Sequence, residues 1–158
     1  MSARLLSLLH RIEEGMIALL LAAMILLAGA QILLRNLWDS GIGWGDPLLR
    51  ILVLWVGLLG AMLATRDDKH IRIDLLSRYL PPAWKRLSAP LTHLFSAAVC
   101  ALLAWHSGRF VHYEMQDGSM LFSGLPAWVA ELILPIAFAI ISLRFVLLAW
   151  QWARGEAA

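Results

Sequence analysis

From Gly15 to Leu34 the chain runs for 20 residues without a charged side chain, and Gln31 is the one strongly polar group within it. At about 1.5 Å per residue, a helix of that length crosses the roughly 30 Å hydrocarbon core of a bilayer. Backbone groups in hydrocarbon have no water to bond, so a continuous run of this kind satisfies them as a helix. Residues 15–34 therefore predict a transmembrane helix. Ala28-Gly29-Ala30 resembles a signal-peptidase site, but Glu13 and Glu14 interrupt the basic start such a leader needs, and apolar residues continue past Ala30.

Three further runs have spanning length. Residues 47–65 open on Pro47, a residue favoured in the first helical turn, and carry only Arg50 as a charge. Residues 87–108 hold Ser88, Thr92, His93, Ser96, His106 and Ser107 but no carboxylate, lysine or arginine. Residues 125–152 contain Glu131 and Arg144, both towards the ends, where long side chains reach the interface. Composition agrees with four spans. The chain is 61% hydrophobic and 15% charged with a mean hydropathy of +0.74, above the apolar share of soluble domains. The expected fold class is an all-α integral membrane protein, a single four-helix membrane domain over 1–158.

Orientation follows from the basic residues. Arg4, Arg11, Arg66, Lys69, Arg72, Arg78, Lys85, Arg86 and Arg154 fall on one side, whereas only Arg35 and Arg109 fall in the loops of the other. The positive-inside rule then places both termini in the cytoplasm of a bacterial inner membrane. Tryptophans form two belts, with Trp38, Trp44, Trp105 and Trp128 near the outer interface and Trp84, Trp150 and Trp152 near the inner one. Trp55 alone lies mid-span. Because the cations are divided among loops and form no single patch, nucleic acid is not an expected partner.

Between the second and third spans, Asp74 is placed to cap a short helix over about 74–80. Leu75, Leu76, Tyr79 and Leu80 share one arc, Ser77 and Arg78 face away, and Pro81-Pro82 stops the run. One reading is an amphipathic helix lying in the cytoplasmic interface on anionic lipid, anchored by Arg66, Lys69, His70, Arg72, Asp74 and Arg78. The other is an ordinary connecting turn.

Two charges sit inside the spans at similar depth. Arg50 follows Pro47 by three residues and Glu131 follows Pro126 by five, so each lies within about 8 Å of the outer end. Intramembrane charges tend to find partners, and the two are candidates for a structural ion pair, with each other or with a neighbouring subunit. The alternative is that each snorkels separately to the outer interface. No site for chemistry emerges elsewhere. His93 and His106 share one helix and do not face each other as haem ligands would. His112, Glu114 and Asp117 match no metal-ligand spacing, and Cys100 stands alone, so no cofactor and no metal are expected. An enzyme is not expected.

A lone transporter would show broken helices or a polar site at mid-depth. This chain shows close-packing surface. Gly57 with Ala61, and Gly60 with Ala64, form small-xxx-small pairs on the second span, and Ala97, Ala98, Ala101 and Ala104 lie on the third. The residues taken alone lead to a four-helix membrane scaffold without naming its partner.

Their order resembles a family, the small membrane subunit of tripartite ATP-independent periplasmic (TRAP) transporters. The resemblance runs from Trp44 and Asp46 through Arg50, Trp55 and Leu59-Gly60-Ala61 to Arg66, His70-Ile71-Arg72-Ile73-Asp74 and Leu80-Pro81. It resumes at Gly118 to Ser123, Leu125-Pro126-Ala127-Trp128, Leu134-Pro135 and Leu143-Arg144. Pro47 departs from it, standing where the family often has a second acidic residue. The resemblance implies a small permease subunit that braces a large permease subunit as a stationary scaffold during sodium-coupled, binding-protein-dependent uptake of an organic acid. Sodium is then expected in the large subunit, a separate chain, and the partners are that subunit, a periplasmic solute-binding protein and membrane lipid. The outer loops would meet the docked binding protein through Trp44, Arg109 or Asp117. The rival readings are a membrane-anchor or scaffold subunit of another complex, such as a redox enzyme, and a stand-alone small exporter.

Overall fold

A computed structural model describes residues 3–66, 82–121 and 124–154, with side chains placed for 11–65, 90–121, 124–152 and 154. The chain forms α1 (Ala3–Trp38), α2 (Gly45–Arg66), α3 (Pro82–Asp117), α4 (Ala127–Glu131) and α5 (Ile133–Arg154). Among the described residues the only extended pairing is one isolated antiparallel bridge, Met120 with Pro126. Four stretches are long and apolar enough to cross a membrane, namely Arg11–Trp38, Gly45–Thr65, Pro90–Asp117 and Ala127–Trp152. The all-helical class expected from the sequence is thus present among the described residues, with four stretches of spanning length. The expected interfacial helix at 74–80, with Lys69, His70, Arg72, Asp74 and Arg78, lies outside the described residues, as does the side chain of Arg66.

Local chemistry explains where the helices begin and end. Asp39 follows α1 with a φ of 49°, the left-handed conformation that closes many helices and that aspartate tolerates better than most residues. Arg35 in the last turn of α1 faces the negative end of the helix dipole. Trp44 opens α2, where its carbonyl accepts from the Leu48 N–H at 3.2 Å. Pro47 costs no hydrogen bond there, because the first amides of a helix have no intrahelical acceptor. The interruption between α4 and α5 has a specific cause. Pro135 has no N–H to donate to the carbonyl of Glu131 four residues earlier, and its ring crowds that carbonyl. Leu132 keeps a right-handed helical conformation, φ −53° and ψ −26°, so the break is one residue long.

The α3–α4 connection folds back on itself. The Leu121 N–H donates to the Leu125 carbonyl at 2.7 Å, and the Ala127 N–H donates to the Ser119 carbonyl at 2.9 Å. Pro126, which precedes α4, provides no side-chain cap, so Ser119 supplies the acceptor that the first amide of α4 needs. Gly118 and Gly124 bracket this fold at φ +65° and +79°, conformations that glycine adopts without steric cost.

Contacts divide the chain into two compact units, Met1–Leu63 with Val111–Ile133, and Ala64–Phe110 with Leu134–Ala158. In the first, Val111, Ala127, Ala130 and Ile133 are buried. In the second, Ala97, Ala137 and Ile141 form the buried apolar positions, together with His93. These are mainly small residues. In hydrocarbon, apolar bulk gains nothing by leaving lipid, so helices hold together where short side chains let backbones approach and van der Waals packing becomes dense. The large apolar residues lie outside, with Leu19, Leu26 and Phe95 each at least 70% exposed. That distribution suits a lipid or protein surround.

Candidate functional site

In the first unit, where α1 ends and α2 begins, Gln31 ties α1 to the start of α2. Its Nε2 donates to the Ile42 carbonyl at 3.2 Å and to Asp46 Oδ1 at 3.1 Å, while its Oε1 accepts from the Ile42 N–H at 2.8 Å. One amide side chain thereby satisfies both backbone groups of Ile42, as a neighbouring strand would. The Ile42 carbonyl also accepts from the Gly45 N–H at 2.8 Å, which closes the turn into α2. Gly45 is buried beneath Gln31, and a Cβ built there would stand 2.5 Å from Gln31 Nε2 and 2.7 Å from its Cδ. Position 45 therefore accepts no side chain while Gln31 holds this pose. Beside this tie is an open cleft of about 500 Å³, lined by Ala28, Ile32, Arg35 and Asp46 among others. Gln31 was visible in the sequence only as the polar residue of the first span. Its partners are 11 and 15 residues away, beyond any helical spacing.

Lower in the same unit, Trp55 Nε1 donates to the Ala130 carbonyl at 2.9 Å, joining α2 to α4. This bond sets the rotation of α2. Arg50 precedes Trp55 by five residues, about 140° away around a helix, so the face that meets α4 excludes it. Arg50 is exposed and forms no ion pair with Glu131. Glu131 Oε2 is buried with no hydrogen-bond partner among the described residues, and its charged neighbour is Glu114, of like sign. The single chain does not join the two intramembrane charges. This geometry leaves the two other expectations, a partner on a neighbouring subunit or separate snorkelling of each charge to the interface.

The remaining sequence candidates fall as follows. Gly57, Ala61 and Ala64 are exposed and Gly60 is half-buried, with no atom of another element within 4 Å of a Cβ built at either glycine. Trp44 is exposed in the turn before α2, Asp117 is exposed at the end of α3, and Arg109 is exposed on α3. Trp44 stands one residue before α2, Asp117 is the last residue of α3, and Arg109 lies about two turns before it on the same helix, so the outer loop expected to begin at residue 109 is helical as far as Asp117. On α3, Ala97 is buried and Ala98 and Ala101 are exposed.

In the second unit, the Ser142 hydroxyl donates to the Ala97 carbonyl at 2.8 Å, and His93 lies against Phe145 with ring centroids 6.0 Å apart. These bonds knit α5 to α3. Arg154 ends α5 stacked on Trp150, its guanidinium carbon 3.6 Å from the ring centroid, a cation–π contact of the kind found where a helix leaves the bilayer. Among the described residues no three His, Cys, Asp or Glu side chains gather as metal ligands. The groups that do converge are hydrogen-bonded ties between helices, and their chemistry is that of assembly.

The family described as the DctQ component of tripartite ATP-independent periplasmic transporters matches residues 24–155. The C4-dicarboxylate TRAP transporter small permease protein DctQ of Vibrio cholerae is 27% identical, over 92% of this chain and 72% of its own length. A putative TRAP transporter small permease protein of Haemophilus influenzae is 28% identical over 76% of both chains. The sialic acid TRAP transporter permease protein SiaT of the same species is 30% identical over 63% of this chain but only 16% of its own, so the similar part lies within a much longer polypeptide. These relatives are transporter permease proteins and not enzymes, and with the family match covering most of its length, this four-span chain belongs to the DctQ-component family of tripartite ATP-independent periplasmic transporters.

Proposed function

We propose that this chain is the small permease subunit that braces a large permease subunit as a stationary scaffold while an organic acid, delivered by a periplasmic binding protein, is carried inward with sodium. Sodium and substrate bind in the large subunit, a separate chain, and no cofactor resides in this one. Family membership gives the reading its frame. The observation that carries it is the scarcity of buried surface: no residue in the most apolar stretch of α1 is buried, and among the described residues no large side chain is fully enclosed. A chain that moved a solute by itself would wrap a polar path in its own helices. This one leaves its helix faces to be covered by something else. The organic-acid substrate class rests on the relatives, which are named for C4-dicarboxylates, sialic acid and isethionate.

The subunit sits in the inner membrane with both termini in the cytoplasm. The basic residues support this, as does the stacked Arg154–Trp150 pair at the end of α5. The interfacial helix at 74–80 and its anchors resist changes of depth and tilt. Outside, Trp44, Arg109 and Asp117 contact the docked binding protein. Reconstitution tests the whole. In liposomes under an inward sodium gradient, C4-dicarboxylate uptake requires the large subunit, the binding protein and this chain together. This chain alone transports nothing. Undiminished uptake without it would overturn the scaffold role. Substitutions at Trp44, Arg109 and Asp117 are expected to weaken docking while leaving the membrane subunits assembled, and unchanged docking would remove those contacts from the proposal.

A further inference from the structure

Seen end-on, the exposed residues of α2 within the first unit form one stripe. Asp46, Arg50, Val53, Gly57 and Ala61 are all exposed, and at about 100° per residue they fall within an arc of about 80°. Trp55 and its bond to Ala130 lie on the opposite side. The stripe is polar at its outer end, carries one β-branched residue, and then narrows to small side chains. A lipid-facing surface has no use for small residues, since lipid tails pack equally well on leucine, as on the exposed leucines of α1. Small residues matter where a second backbone comes close.

Arg50 supplies the second observation. It lies about 7.5 Å below the start of α2, inside the span, exposed and in no ion pair among the described residues. The nearest acid on the stripe, Asp46, accepts instead from Gln31. Glu131 is reached from the other face of the helix. A charge at this depth is met either by snorkelling to the interface or by a partner bringing the opposite charge to the same depth, and its place on a small-residue face favours the partner. A second copy of this chain does not meet that need. Two copies inserted the same way and crossing at this stripe about a two-fold axis would set Arg50 beside Arg50.

Resting on the scaffold reading above, we infer that the Arg50–Val53–Gly57–Ala61 face of α2 docks a transmembrane helix of the large permease subunit, one that presents small residues at the crossing and a carboxylate level with Arg50. Gly57 and Ala61 then set the distance between helices, and Arg50 sets their register along the membrane normal.

The test uses the two membrane subunits expressed together. Gly57→Leu, Ala61→Leu and Arg50→Glu are each expected to lower recovery of the large subunit on the tagged small subunit by about tenfold or more, whereas Arg50→Lys and, on α3, Ala98→Leu leave it near wild type. Because a bulky residue in α2 can also impair insertion, a photo-crosslinking amino acid at Val53 provides an independent readout in native membranes. An adduct with the large subunit supports the inference. An adduct between two copies of this chain, or labelling of lipid alone, overturns it. Wild-type recovery for all three disruptive variants also overturns it while leaving the scaffold reading intact. If the wild-type chain itself recovers no large subunit, the scaffold reading fails and this inference falls with it.

Discussion

Gly45→Ala is the most direct probe of how the α1–α2 junction is built. The added Cβ would sit 2.5 Å from Gln31 Nε2, so Gln31 must swing away. Although the end of a glutamine side chain is flexible, this one is held by the bonds to Ile42 at 2.8 and 3.2 Å and to Asp46 at 3.1 Å. Water replaces the exposed bond to Asp46 at little cost. The two to Ile42 are partly buried, and at about 0.5–1.5 kcal/mol net each their loss amounts to about 1–3 kcal/mol. Alanine recovers about 0.4–1 kcal/mol by restricting the unfolded chain, which leaves a net destabilisation of about 0–2.6 kcal/mol, centred on about 1.3 kcal/mol. For a chain of this size the central value lowers the melting temperature by about 3–5 °C. The decisive assay is a double-mutant cycle, read by thermal unfolding of the purified protein in detergent. In a Gln31→Ala background the obstruction is gone, so Gly45→Ala becomes neutral or slightly stabilising. Equal costs in both backgrounds would refute the clash as the cause and leave only a backbone effect at position 45.

Three further outcomes are expected. Trp55→Phe keeps the ring but removes the donor to Ala130, and costs about 0.5–1.5 kcal/mol in the same unfolding assay. Ala137 is completely buried, so Ala137→Leu overpacks the second unit by about 1–3 kcal/mol, whereas Ala98→Leu on the exposed side of α3 changes the melting temperature little. Glu131→Gln removes a charge whose buried oxygen has no partner among the described residues and whose charged neighbour is Glu114, so the isolated chain melts at the same temperature or higher. A fall there would mean that a cation outside the described residues holds the carboxylate.

By itself the sequence determined the class of molecule, because that depends on local properties. A run such as 15–34 satisfies its backbone in hydrocarbon only as a helix, and its length matches the bilayer, so the spans follow from composition and periodicity alone. The glycines at 118 and 124 and the break before Pro135 belong to the same local chemistry. The small residues of α2 read as a packing surface from their spacing, and in the structure Gly57, Ala61 and Ala64 stand exposed. What no spacing rule disclosed was which groups meet across helices. Gln31 reaches Ile42 and Asp46, Trp55 reaches a carbonyl 75 residues on, and Ser142 reaches back 45. Those distances depend on how each helix is rotated about its own axis, which is a collective result of packing. Similar depth in the bilayer made Arg50 and Glu131 plausible partners, but depth says nothing about rotation. The bond from Trp55 to Ala130 turns Arg50 away from Glu131, so only the tertiary structure decided that this charge is offered to the outside of the chain.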